Sequence, residues 1–220
     1  MLPLAIFEEI EAVFFDAEGT LFQIHPSVGH IYARICKEYG LRVPPQEMEK
    51  RFREVFGRLN RGGKARPEEC LAYWRQIFRE TVTSFGPLDR LEEAFEKCYW
   101  AFATAKNFVL SPGAREVLAN LRAQKKKLAL VSNWDERLRH LVLDFGLQEF
   151  FDALIISCEV GYAKPDPTIY LLACQKLQIK PSKGLMIGDQ LEDDVLAARR
   201  AGLWALRYPG GDLRRLFPKL

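Results

Sequence analysis

The spacing of apolar residues changes twice along this chain of 220 residues. Near the start, residues Ala12 to Phe15 are all apolar and lead directly into Asp16. From about residue 23 to residue 107, apolar residues recur every three or four positions, and after that short apolar runs return. A short continuous apolar run is typical of a strand buried in a parallel sheet, whereas the wider spacing is typical of amphipathic helices. The pattern therefore predicts an α/β core that is interrupted by a helical segment.

The helical segment contains four apolar stripes that are separated by glycine and proline. Gly40 ends the first stripe, Pro44 and Pro45 precede the second, Pro67 opens the third, and Gly86 stops it. The stripes are Val28, Ile31, Tyr32, Ile35 and Tyr39; Met48, Phe52, Val55, Phe56 and Leu59; Leu71, Trp74, Phe78 and Val82; and Leu91, Ala94, Phe95, Cys98 and Phe102. Because no strand pattern separates these stripes, they predict a small four-helix bundle.

Outside this segment, five apolar runs predict strands that alternate with helices. The strands are expected at residues 12–15, 128–131, 154–156, 185–187 and 204–206. Such alternation is typical of a doubly wound parallel sheet. The predicted fold is therefore α/β, with a parallel five-stranded Rossmann-like core and an inserted four-helix domain. The expected boundaries are residues 1–22 and 108–220 for the core and residues 23–107 for the insert.

Composition narrows the expected partners and location. The 32 basic and 29 acidic residues leave a formal net charge of +3, which argues against nucleic acid as the main partner. No apolar stretch approaches the roughly 18 residues of a membrane span, and acidic residues follow Met1 to Phe7 where a signal peptide would continue. The five cysteines are scattered, so we expect reduced thiols and neither a disulfide framework nor a zinc site. These observations predict a cytoplasmic protein without a membrane partner.

Residues with catalytic chemistry follow several predicted strands. They are Asp16-Ala17-Glu18-Gly19-Thr20, Ser132-Asn133, Lys164 within K-P-D-P, and Gly188-Asp189 with Asp193-Asp194. Taken singly, each has an ordinary explanation, such as a turn serine, a helix-capping aspartate or a surface lysine. In open α/β sheets, however, ligands bind at the carboxyl ends of the strands. A loop with a glycine, which can expose backbone amides to an anion, further indicates a phosphate site after the first strand.

In this order, the four motifs resemble those of the haloacid dehalogenase-like hydrolase superfamily, whose first motif is D-x-D-x-T. The resemblance covers nearly the whole chain. An insert directly after the first motif is similar to the helical-cap subfamily, in the branch that carries D-A-x-G-T. The resemblance implies that residues 23–107 form a cap domain. It also implies a Mg²⁺-dependent phosphoric monoester hydrolase that acts on a small phosphorylated metabolite.

The resemblance implies a role for each matching residue. Asp16 would be the nucleophile that forms an aspartyl-phosphate, Lys164 would offset negative charge, and Glu18 would take the acid/base position. The phosphoryl group would be bound by Gly19, Thr20, Ser132 and Asn133. Mg²⁺ prefers oxygen ligands. It would be held by Asp16, the backbone carbonyl of Glu18 and Asp189, while Asp194 would orient a metal-bound water and Asp193 is less suited to do so.

Glu18 departs from the pattern of the family's phosphatases, which have aspartate at this position. The extra methylene moves the acid by about an ångström, and such a misplacement can lower a rate by about 10²-fold. We therefore expect a working but slower or narrower phosphatase. Two alternatives stay open: a 2-haloacid dehalogenase, whose D-A-Y-G-T motif also lacks the second aspartate, and a catalytically impaired binding module. Carboxylates at Glu18, Asp189 and Asp194 favour a metal site over metal-free dehalogenation.

Overall fold

The structure is a computed structural model that describes residues 4–59 and 69–217. Its helices are α1 (Leu4–Glu9), α2 (Val28–Lys37), α3 (Pro45–Leu59), α4 (Cys70–Val82), α5 (Leu91–Ala101), α6 (Ala114–Ala123), α7 (Arg137–Asp144), α8 (Ser157–Val160), α9 (Thr168–Leu177) and α10 (Ala197–Arg200). Its strands are β1 (Ala12–Phe15), β2 (Phe22–Ile24), β3 (Phe108–Leu110), β4 (Lys127–Ser132), β5 (Ala153–Ile156), β6 (Gly184–Gly188) and β7 (Trp204–Arg207). The predicted helix start at Pro67 lies outside the described residues.

Five strands form one parallel sheet in the order β5-β4-β1-β6-β7. The central strand β1 is buried along its whole length, as expected from its unbroken apolar run. Phe15, its last residue, lies opposite Leu130 of β4 and Ile187 of β6. This register brings the carboxyl ends of β1 and β6 side by side. The predicted doubly wound α/β fold with five parallel strands is confirmed.

Some short elements were not predicted from the sequence. The helices α1 and α8 have six and four residues, and β2 and β3 form a two-stranded sheet of three-residue strands. Elements of this length carry too few residues to show a period. In addition, a π-helical turn covers Leu191–Leu196, before α10, where a regular helix was expected. The Asp194 carboxylate accepts a bond from the backbone nitrogen of Gln190 at the start of this turn.

The described chain divides into two compact units. One contains residues 4–23 and 110–217 and the five-stranded sheet, and the other contains residues 24–59 and 69–109 and the helices α2 to α5. Within the helical unit, α2 packs on α3 and α5, and α4 packs on the same two helices. The roles of these units as hydrolase core and cap stay predictions.

The helical unit has one notably close helix contact, at Gly29 of α2. A Cβ atom on this residue would lie 2.4 Å from the carbonyl oxygen of Pro45 and 2.4 Å from the backbone nitrogen of Glu49. The Glu49 carboxylate also accepts a 2.7 Å bond from the Gly29 amide, which satisfies a donor at the start of α2. Burial would raise the pKa of Glu49, but the hydrogen bonds from Gly29 and Arg53 outweigh this effect, so the pKa is lowered. The glycine therefore sets the distance between α2 and α3.

Two findings concern the expected surroundings of the protein. Cys36, Cys98 and Cys174 are free and buried, whereas Cys70 and Cys158 are disulfide-bonded. The expectation of reduced thiols throughout was therefore wrong, because disulfide formation depends on the folded geometry and not on sequence spacing. Within residues 4–59 and 69–217, no helix is long and apolar enough to cross a membrane. The cytoplasmic location stays a prediction.

Candidate active site

Three carboxylates converge at the carboxyl ends of the central strands. Asp16 follows β1, Asp189 follows β6, and Asp194 lies in the π-helical turn after β6. One side-chain oxygen from each lies within 4.8 Å of the others. Asp16 and Asp194 are buried, and Asp189 is half-buried. Asp16 is 173 positions from Asp189 and 178 positions from Asp194 in the sequence. The parallel strands bring these side chains together because they end at one edge of the sheet.

The buried ammonium of Lys164 lies between two of these carboxylates. Its Nζ atom is 2.6 Å from Asp16 Oδ1 and 2.6 Å from Asp194 Oδ1. Burial alone would lower the pKa of Lys164, but the attraction of Asp16 and Asp194 outweighs it and raises the pKa, so the side chain stays charged. With Asp189 also ionised, three carboxylates face one ammonium. The cluster then carries two unbalanced negative charges.

Burial also acts on the carboxylates themselves. It raises the pKa of Asp16 to about 6, while the charge of Lys164 acts in the opposite direction. Burial likewise raises the pKa of Asp189, and the hydrogen bond that Gln190 donates to its carboxylate acts against this rise. A raised carboxyl pKa means that the negative charge is insufficiently compensated where it stands. The cluster is therefore an environment in which a further cation is stabilising.

Two glycines allow the carboxylates to approach the backbone. A Cβ atom on Gly188 would lie 2.2 Å from the Cγ atom of Asp194, and one on Gly19 would lie 2.7 Å from the Cγ atom of Asp189. Gly19 also has a φ angle of +89°, which L-residues rarely adopt. A side chain at either position would occupy the space of a carboxylate. Glycine is thus required at both positions for this arrangement.

The residues of the cluster fit a divalent metal ion. Among the described residues, the buried atoms Asp189 Oδ1 and Thr20 Oγ1 have no hydrogen-bond partner. Leaving such an atom unsatisfied costs about 1–3 kcal/mol, so a partner is expected for the Asp189 oxygen. An oxygen-only donor set with two excess negative charges suits a hard cation such as Mg²⁺. Asp194 is already engaged through both oxygens, by Lys164 and by the backbone nitrogen of Gln190.

Ser132 and Asn133 bond protein groups of the cluster. Ser132 Oγ donates a 2.9 Å bond to Asp16 Oδ1. Asn133 Nδ2 donates to the Lys164 carbonyl at 2.8 Å, and the Lys164 amide donates to Asn133 Oδ1 at 2.7 Å. Here Ser132 orients Asp16, and Asn133 clamps the backbone of Lys164. Their binding to a phosphoryl group stays a prediction.

The loop after Asp16 is a tight turn whose backbone amides bond carbonyls of the same loop. The amide of Gly19 donates to the carbonyl of Phe22, and the amides of Thr20, Leu21 and Phe22 all donate to the carbonyl of Ala17. These amides are bonded within the tight turn, and their binding to a phosphate stays a prediction. Glu18 is exposed and its backbone pairs with Phe22. An acid/base side chain needs such access to substrate and water.

Sequence reasoning missed three residues that hold the cluster. The Tyr170 hydroxyl donates to the Asp193 carbonyl at 2.7 Å, Arg207 Nε donates to the Asp189 carbonyl at 3.0 Å, and Gln190 Nε2 donates to Asp189 Oδ2. Tyr170 belongs to the apolar face of α9 and Arg207 ends β7, so neither stood out from its pattern. Only Gln190, adjacent to Asp189 in the chain, carried a local signal.

The site is a lysine-bridged acidic cluster at the strand ends of a parallel sheet. The family model for haloacid dehalogenase-like hydrolases matches residues 10–202, which is most of the chain. The chain therefore belongs to this family of hydrolases. The helical-cap subfamily stays a prediction.

Individual relatives agree with this assignment. Haloacid dehalogenase-like hydrolase domain-containing protein 3 of Xenopus laevis is 28% identical over 200 residues, covering 88% of this chain and 82% of that protein. Glyceraldehyde 3-phosphate phosphatase of Methanopyrus kandleri is 28% identical over 221 residues, covering 96% of this chain and 88% of that protein. The two relatives thus match over more than four fifths of their length.

Solved structures share the fold. A predicted phosphoglycolate phosphatase from Haemophilus somnus matches with a TM-score of 0.67 at 20% identity, covering 93% of this chain and 87% of the other. A 2-haloacid dehalogenase from Pseudomonas syringae matches with a TM-score of 0.63 at 20% identity, covering 90% and 86%. At this identity the likeness shows the fold alone, and it does not separate the two activities.

Proposed function

We propose that the chain is a Mg²⁺-dependent phosphoric monoester hydrolase that acts through an aspartyl-phosphate on a small phosphorylated metabolite. The observation that carries this proposal is the position of Asp16 beside Lys164 in a cluster with two excess negative charges. The phosphatase relative from Methanopyrus kandleri, which matches 96% of the chain, supports the same reaction class. Asp16, Lys164, Asp189 and Asp194 are the residues to which we assign it.

The proposed reaction has two displacements at phosphorus. In the first, a carboxylate oxygen of Asp16 forms a bond to phosphorus, the bond between phosphorus and the ester oxygen breaks, and Glu18 gives its proton to the leaving oxygen. In the second, water attacks the same phosphorus, Glu18 takes a proton from the water, and the bond to Asp16 breaks. Phosphate leaves and both carboxyl groups return to their starting states.

The surrounding residues prepare Asp16 for attack. Ser132 and Lys164 each bond Asp16 Oδ1, which fixes the direction of the carboxylate. The charge of Lys164 also favours ionised Asp16 against the effect of burial. Because charge spreads over the phosphoryl oxygens in this reaction, a preorganised cation beside the nucleophile lowers the barrier.

Mg²⁺ would be held by Asp16, Asp189 and the backbone carbonyl of Glu18. Asp194 lies next to these groups, where it accepts bonds from Lys164 and from the backbone nitrogen of Gln190. When bound, the metal ion supplies positive charge to the phosphoryl oxygens and orients the substrate. The protein contributes the geometry for this ion through Gly19, which leaves room for the Asp189 carboxylate.

Release of phosphate from a generic aryl phosphate, with and without Mg²⁺, tests the proposal. Wild type, Asp16→Asn and Asp89→Asn are compared, the last because Asp89 is an exposed aspartate of the helical unit. We expect Mg²⁺-dependent turnover in wild type and Asp89→Asn and none in Asp16→Asn. Turnover that survives in Asp16→Asn would contradict the proposed nucleophile.

Two further measurements address the alternatives. Halide release from a 2-haloacid without Mg²⁺ would favour the dehalogenase, a fold neighbour of this chain. No turnover of any phosphate ester, together with tight binding of a purified partner protein, would favour a binding module.

The role of Glu18 is tested by Glu18→Gln, which we expect to lower turnover by about 10²- to 10⁴-fold. Unchanged turnover in that variant would remove Glu18 from the mechanism.

A further inference from the structure

The turn that carries Asp194 is not an ordinary helical turn. Residues Leu191–Leu196 are π-helical, with the amide of Val195 bonded to the carbonyl of Gln190, five residues earlier. The chain then continues as the α-helical turn α10. A change from i→i−5 to i→i−4 bonding skips one carbonyl, which then needs a donor from elsewhere if it is buried. Such a turn therefore depends on outside support.

Tyr170 supplies a donor to a carbonyl of this turn. Tyr170 lies in α9, and its side chain is fully buried. Its hydroxyl donates a 2.7 Å bond to the carbonyl of Asp193. The next residue, Asp194, accepts the ammonium of Lys164 at 2.6 Å. Lys164 and Tyr170 are six positions apart in one segment, and they bind two consecutive residues of the turn. The segment thus holds the turn at two adjacent points, one on the backbone and one on the side chain.

The available space makes the position of this turn critical. Asp194 is completely buried, and the space beside it is so limited that even a Cβ atom on Gly188 would overlap its carboxylate. A small rotation of the turn would separate Asp194 from Lys164 or press it against β6. The bond from Tyr170 opposes this rotation because it fixes the carbonyl of the preceding residue.

We propose that Tyr170 is a positioning residue that holds the π-helical turn in the register required by Asp194. It touches neither substrate nor metal and acts through the carbonyl of Asp193. The part of this proposal that concerns Mg²⁺ affinity rests on the function proposed above, whereas the part that concerns the turn does not.

The test is Tyr170→Phe, which removes one oxygen atom and keeps the buried ring. Tyr208→Phe is a matched control, because Tyr208 is also buried in the same unit and its hydroxyl bonds the carbonyl of Gly211, which is not part of the turn. Amide hydrogen exchange is measured in the metal-free proteins, with the peptide that covers residues 190–198 as the readout. Mg²⁺ binding is measured separately by calorimetry.

We expect exchange in residues 190–198 to be about three- to tenfold faster in Tyr170→Phe than in wild type, as loss of one buried hydrogen bond implies. Tyr208→Phe should leave this segment unchanged. We also expect the Mg²⁺ dissociation constant to rise by about three- to tenfold in Tyr170→Phe only. These results are not explained by a packing role of the ring, since phenylalanine retains it.

Three outcomes separate this proposal from the proposed function. Unchanged exchange in residues 190–198, or an equal acceleration throughout the protein, would overturn the positioning role. Faster exchange confined to the segment supports the role even if wild type binds no Mg²⁺ and hydrolyses no phosphate ester, and in that case the proposed function alone fails. Faster exchange with unchanged Mg²⁺ affinity in an active wild type would overturn the step from the turn to the metal site.

Discussion

Lys164 Nζ lies 2.6 Å from Asp16 Oδ1, in a place where both side chains are more than nine-tenths buried. The same nitrogen is 2.6 Å from Asp194 Oδ1. One ammonium therefore connects the residue after β1 with the π-helical turn after β6. Removing a single partner from a buried ion pair leaves the other charge uncompensated, which costs far more than the pair contributes when intact.

We accordingly expect Lys164→Met to lower the free energy of unfolding of the metal-free protein by about 3–5 kcal/mol. Mg²⁺ should restore part of this loss, because it supplies positive charge to the same carboxylates. Urea unfolding with EDTA and with Mg²⁺ measures both effects. Lys183→Met is the control, since Lys183 pairs at 3.0 Å with the exposed Glu9, and such pairs contribute about 0–1 kcal/mol. Equal losses of unfolding free energy in the two variants would contradict the view that Lys164 compensates the buried charges of Asp16 and Asp194.

The pKa of Asp16 predicts a pH dependence of stability. Burial raises this pKa from its ordinary value of 3.8 to about 6. Between these values the folded state binds more protons than the unfolded state, so Asp16 makes the protein less stable as pH rises through this window. Asp16→Asn lacks this effect. Relative to wild type, the metal-free variant should therefore become more stable by about 1–3 kcal/mol between pH 4 and pH 7.

Urea unfolding in EDTA at several pH values measures this difference for Asp16. The comparison between the two proteins cancels the titration of shared groups that do not interact with Asp16, whereas Lys164 and Asp194, which interact with it, contribute to the measured difference. A difference that stays constant from pH 4 to pH 7 would mean that Asp16 titrates normally in the folded protein.

Gly188→Ala tests the space beside Asp194. The added Cβ atom would lie 2.2 Å from Asp194 Cγ, and real contacts of this kind are not observed, so the carboxylate must shift from the position in which it accepts the bond from Lys164. We expect at least a tenfold loss of Mg²⁺-dependent phosphate release, since displacement by about an ångström can have a 10²-fold effect. Gly184→Ala in the same strand is the control, because its Cβ atom meets only the flexible end of Leu203, at 3.2 Å, and a carbonyl at 3.4 Å. Similar activity in both variants would argue against a precise position of Asp194.

Replacing Gly29 and replacing Gly57 with alanine should have opposite effects on the stability of the helical unit. Gly29→Ala would place a Cβ atom 2.4 Å from backbone atoms of α3, and overpacking of this kind costs about 1–3 kcal/mol. Gly57→Ala meets no atom of the described residues within 4 Å in the last turn of α3, where alanine is favoured over glycine by up to about 1 kcal/mol. Thermal unfolding should show a lower midpoint for Gly29→Ala and a higher one for Gly57→Ala. Changes of the same sign would contradict the close contact of α2 and α3.

Much of the fold was predictable because it depends on local pattern. The unbroken apolar run Ala12 to Phe15 is a buried strand, and the helical stripes between residues 28 and 102 are helices. Asp16 and Asp189 were placed correctly at strand ends, because a residue that follows a strand needs no long-range information to be located. The elements that were missed are short or irregular, as in α8 and the π-helical turn.

The partners of the site residues depended on the tertiary structure. Asn133 meets the backbone of Lys164, and Tyr170 meets the carbonyl of Asp193. Apolar periodicity states which face of an element is buried, but many strand orders and registers bury the same faces equally well. The choice among them comes from packing over the whole chain. Bonds between residues that are distant in sequence, and the pKa values that follow from them, are therefore set only when the chain is folded.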